Sequence, residues 1–168
     1  VLYRTNFQSR VIEEKMLERN IVYQVVGVRF YDRREIKDAL SYLRAALNAD
    51  DLVAKKRIVN MPPRGIGKVL TTKYLAGDAL KAAEAKKLQE FQGLLEIIKE
   101  QIAARKPSAV IKTLLEKTGL LAYYNNGTEE GEMRKANLEE LLTLAKRYDA
   151  RPIPDGITGL LEDAALMS

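Results

Sequence analysis

Three places in the chain combine residue types that handle phosphates or bases. The first ten residues start as an apolar, β-prone stretch and turn at once into Arg4, Asn6, Gln8, Ser9 and Arg10. Such side chains hydrogen-bond anions and bases rather than fill a core, so the stretch reads as a strand delivering polar groups to a ligand. Arg29-Phe30-Tyr31-Asp32-Arg33-Arg34 sets two aromatic rings among three guanidinium groups. That mixture stacks bases and holds phosphates in single-strand channels. The same two rings could instead staple the helix that Asp32 opens. Arg64-Gly65-Ile66-Gly67-Lys68 places a glycine pair ahead of a helix. There, free amides and the positive end of the helix dipole can hold one phosphate, helped by Arg64 and Lys68. It is not a nucleotide P-loop, which needs Gly-x-x-x-x-Gly-Lys followed by Ser or Thr. Here Pro62 stands five residues before Gly67, and Val69 follows the lysine. A DNA-backbone contact and a plain turn with solvent-facing charges both fit this stretch.

Composition narrows the chemistry. The 168 residues contain neither Cys nor His, so disulfides, thiolate nucleophiles, imidazole bases and Cys/His zinc sites are excluded. Any catalysis must run through carboxylates, Lys, Arg or a partner. Hydrophobic residues make up 46% of the chain, enough to bury a core. No apolar run approaches the ~20 residues that span a bilayer, and a cytoplasmic location is expected. The net charge of +5 is unevenly placed: residues 1–78 hold 15 Lys and Arg against 9 Asp and Glu, residues 79–168 hold 13 against 14. A polyanion would be drawn to the first half by phosphate neutralisation and counterion release.

The elements that position these groups follow from periodicity and breakers. Strands are expected at Val1 to Thr5 and Ile21 to Val26, with a helix from about Asn6 to Arg19 between them. Gly27 closes the resulting β-α-β start. The missing initiator Met and the strand-like opening suggest a piece of a longer protein. Asp32 and Glu35 have capping-box spacing for a helix running to about Leu47, with Ile36, Leu40, Leu43 and Leu47 on its buried face. Further helices are expected at about 51–60, 68–75, 80–104, 108–117, 132–148 and 156–166. Breaks fall at Met61-Pro62-Pro63-Arg64-Gly65, Gly77, Gly119 and Asn125-Asn126-Gly127. The expected fold is mainly α with a short β-α-β start, divided near Gly77 into residues 1–76 and 77–168.

The opening ten residues, together with the stretch from Gly27 to Arg44, resemble a middle segment of the UvrD/PcrA/Rep family of superfamily 1 DNA helicases. The resemblance implies that residues 1–76 begin the second RecA-like motor domain and that 77–168 form most of a helical domain inserted into it. It implies that Tyr3 stacks on the adenine of ATP and that Arg4 reaches the γ-phosphate. A permanently charged planar fork suits that role, since it stabilises charge in phosphoryl transfer. It further implies ATP and Mg²⁺ as cofactors of the parent, DNA as its partner at single strands and junctions, and 3′-to-5′ unwinding, with DNA repair among its settings. The block at Arg29, Phe30 and Tyr31 corresponds to the family's motif IVa, although Val28 stands where the family usually has a second glycine. Arg134, Asn137, Leu138, Glu140 and Leu141 resemble a recurrent Arg-x-x-Asn-Leu-x-Glu-Leu pattern of the inserted domain, whose expected role is to brace a neighbouring helix. No Walker A lysine is present, so the chain alone should not hydrolyse ATP. A non-enzymatic helical DNA-binding or partner-binding module is the alternative.

Overall fold

Ile36, Ala39, Leu40, Tyr42, Leu43, Ala45 and Ala46 recur at helical spacing, and together they make helix α2 (Arg34–Leu47) the most enclosed element of the chain. A helix with an apolar stripe on one side rests on a core; one that also buries Glu35, Asp38 and Ser41 must lie within it. In the computed structural model, which describes residues 6–22 and 28–168 with side chains from Val11 onward, α2 is the axle of a helical body. It touches α3 (Leu52–Ile58), α5 (Ala82–Ala104), α6 (Pro107–Thr118), α7 (Leu120–Tyr124), α8 (Glu129–Ala145) and α9 (Asp155–Leu166). Two further helices lie outside this ring: α1 (Asn6–Glu18), against α8, and α4 (Lys68–Ala76), against α3.

Local chemistry sets the helix ends. The Asp51 carboxylate accepts from Ala54 N at 2.9 Å and starts α3. Gly77 and Gly119 end α4 and α6 in the left-handed region, each with φ of 74°. Pro107 opens α6, where its missing N–H costs nothing. Thr128 caps α8 by accepting from Gly131 N at 3.0 Å. Leu88, Phe91, Leu95, Ile98 and Ile102 form the buried stripe of α5.

The polar groups that α2 takes into the core are partnered, as burial demands. Asn137 of α8 donates to Glu35 at 2.6 Å and accepts from Arg33 at 3.0 Å. Asp38 accepts from Arg57 of α3 at 2.6 Å and from the hydroxyl of Tyr124 on α7. The brace expected of the Arg134-to-Leu141 pattern is thus supplied by Asn137, while Arg134 pairs with Glu130 at 2.5 Å and lies 5.7 Å from the centre of the Tyr124 ring.

The mainly helical character expected from the sequence is what the structure has. No strand is found among the described residues. The expected strand at Val1 to Thr5 lies outside them, as does 23–26 of the second; Ile21 and Val22 are in neither helix nor strand. The capping box at Asp32 and Glu35 is not formed. Instead α2 starts after Arg33 without a side-chain cap, Asp32 pairs with Lys37 at 2.6 Å and Glu35 is held by Asn137. Helix α7 was not expected, and α8 begins at Glu129 rather than 132. Gly77 falls between Leu70 of α4 and Leu88 of α5, and both leucines belong to one continuous apolar core.

Candidate nucleic-acid interface

The segment from Asn60 to Lys68 bridges α3 and α4. Gly65 adopts φ of 69°, a conformation a side-chain-bearing residue enters at a cost. Asn60 Oδ1 accepts from both Arg64 N at 2.7 Å and Ile66 N at 3.1 Å, folding the turn around one amide. Ile66, 1% exposed, plugs the loop into the core. From α2, the Tyr42 hydroxyl donates to the Met61 carbonyl at 2.5 Å, and burial pushes that phenol up to about 12.

Arg64 faces inward. Its guanidinium donates to the carbonyls of Pro62 at 2.9 Å, Ile58 at 3.4 Å and Thr118 at 3.3 Å, and lies 5.8 Å from the centre of the Tyr42 ring. The phosphate contact expected of Arg64 therefore competes with a bonding role the structure already gives it.

Helix α4 presents an open start. Its N-cap, Gly67, has no side chain, and a Cβ built there meets nothing within 4 Å. The first bond back to the cap is Thr71 N to Gly67 O at 2.9 Å, so the amides of Lys68, Val69 and Leu70 have no acceptor within the helix. Lys68 is exposed and Val69 is 73% exposed. A second cation comes from α5: Lys87 Nζ donates to the Gly65 carbonyl at 3.0 Å. Sequence reasoning missed Lys87 because nothing in its local pattern ties it to a loop 22 residues earlier.

The other expected site residues fall elsewhere. Phe30 and Tyr31 occupy a 3-10 turn ahead of α2 and are 1% and 3% exposed. Their rings meet edge to face with centroids 5.2 Å apart, so neither offers a face to a base. In this arrangement both rings pack at the start of α2. Arg29 is exposed beside them. Tyr3 and Arg4 lie outside the described residues. Among the described residues, no group of three or more His, Cys, Asp or Glu could hold a metal ion, and no helix is long and apolar enough to cross a membrane.

Fold and loop together define a mainly helical module with an uncapped helix start beside Lys68 on its surface. The chain belongs to the UvrD-like helicase C-terminal domain family, whose pattern matches residues 1–168. It is 35% identical over 173 residues to DNA helicase II of Escherichia coli K12, a match covering 88% of this chain and 23% of that protein. It is 33% identical over 189 residues to the ATP-dependent DNA helicase PcrA of Bacillus subtilis strain 168, covering 100% of this chain and 25% of the relative. The PcrA helicase of Staphylococcus epidermidis RP62A gives 34% over 190 residues, covering 100% and 26%. The chain thus spans about a quarter of the length of these relatives.

Proposed function

We propose that this chain is the part of an ATP-dependent DNA helicase that grips the DNA backbone with the loop from Arg64 to Lys68. The observation that carries the reading is the open start of α4, where three amides without helical acceptors follow a loop that carries Lys68 and is held at Gly65 by Lys87. Backbone amides and lysines recognise phosphate without regard to sequence, as an enzyme moving along DNA requires. The names of the relatives support the same activity. The parent would take ATP and Mg²⁺ and unwind DNA 3′ to 5′ in the cytoplasm, with repair among its uses. This chain would contribute Tyr3 against the adenine and Arg4 against the γ-phosphate. Without a Walker A lysine the chain alone would not turn over ATP.

In this reading the inserted helical domain takes in α2 to α4 as well as the helices after Gly77, because α2 lies at the centre of their shared core. The motor portion would then end ahead of Phe30.

Fluorescence anisotropy with labelled DNA tests the proposal. Lys68→Ala should weaken binding and reduce the dependence of log K on log salt by about 0.9 for one lost phosphate contact. Unchanged affinity and slope would remove the loop from the interface. Rejoining the chain to its flanking domains should restore DNA-stimulated ATPase activity.

A further inference from the structure

We propose that Lys87 supplies the phosphate-facing charge of this loop and that Arg64 is a positioning residue that holds the loop in shape. The inference rests on reading the loop as a DNA contact, and it assigns the cations within it.

The carbonyls around Arg64 decide its part. Thr118 is the last residue of α6, so its carbonyl lies at the negative end of that helix dipole, and Arg64 closes it. The same fork grips Pro62 on its own loop and Ile58 at the end of α3, and stacks over Tyr42. Swinging to a phosphate would strip three carbonyls of a charged donor and release the loop from α6.

Lys87 stands in the opposite situation. It is exposed, and only one of its three ammonium donors is used by the Gly65 carbonyl. A Cβ at Gly65 would lie 3.0 Å from Nζ, so Lys87 packs directly over the glycine that gives the turn its positive φ. Gly65 lies two residues before the cap of α4, so Lys87 is held on the same loop that leads to the open amides. The sequence offers Arg64 and Lys68 for this task; the fold substitutes a lysine from α5 for the arginine.

Salt titrations of the 168-residue chain against a labelled duplex with a single-stranded tail decide the assignment. Lys87→Ala should lower the salt slope by about 0.9 and weaken binding about fivefold at 0.15 M salt, with the unfolding transition unmoved. Arg64→Lys keeps the charge but loses the planar fork, so it should weaken binding as much as Arg64→Ala. If Lys87→Ala leaves affinity and slope unchanged while Lys68→Ala lowers both, the inference is overturned and the loop contact stands. Wild-type affinity in Arg64→Lys would equally overturn it, by making charge alone sufficient at that position. Unchanged slopes in both lysine variants would remove the loop contact itself. Should the Arg64 variants fail to fold, Lys87→Ala decides alone.

Discussion

Asp51 shows how one carboxylate can serve a helix end and register it in the response to pH. It accepts from Ala54 N and from Arg44 Nε at 3.0 Å, and these bonds, the Ala54 amide foremost, hold its carboxyl below the usual range. Asp51→Ala should therefore cost about 1 kcal/mol in urea unfolding at neutral pH. Because the folded state lowers the pKa, the charged form's contribution is present above the ordinary carboxylate range and fades as pH falls through the folded value. Asp51→Asn can still cap α3 but does not titrate, so the stability gap between it and wild type should close on acidification. A gap independent of pH would show that Asp51 acts through geometry alone. Arg4 is tested in the rejoined parent, where Arg4→Ala should cut ATP turnover by ~10²-fold or more with little change in DNA binding. An unchanged rate would remove it from the active site. At this scale the sequence exposed residue types better than roles. Lys68 reads correctly as a solvent-facing cation at a helix start, whereas Arg64, of the same charge, turns inward to carbonyls that no local pattern reveals.

Among the elements, α2 concentrates the consequences of a single change. Asn137→Ala would leave the buried Glu35 carboxylate without its amide donor, at a cost of about 1–3 kcal/mol. A drop in the denaturant midpoint of that size with unchanged steepness is the expected readout. A midpoint equal to wild type would mean water replaces the amide. This contact also explains why the capping box at Asp32 and Glu35 failed: Glu35 is claimed by a partner 102 residues away, beyond any local rule. The long helices were legible because three or more turns of leucine and isoleucine spacing leave little choice, as along α5. Helix α7 has five residues, too few to display a period, and it is held by burial of Leu120 and Tyr124 instead. Phe30 and Tyr31 were ambiguous for the opposite reason, since rings beside arginines suit a base or a core equally until burial is known.

For the whole molecule, the apolar core continues from α2 through α9 across Gly77. Composition and charge shift at that glycine, which is why the sequence suggests a division there, while contact between distant helices leaves no trace in composition. Limited proteolysis is expected to nick the exposed stretch between Tyr74 and Lys81 while the two pieces stay associated and unfold in one transition. Survival of residues from about 80 onward as an independent folded piece would instead favour a division at Gly77. The moorings of the loop carry a mechanical consequence. Tyr42 ties Met61 to the central helix, and Arg64 ties the same turn to the end of α6. A fingertip mounted this way has no joint of its own. On the proposed DNA contact, tension along the strand would pass into the trunk through these moorings, turning the helical body as a lever turns on its handle.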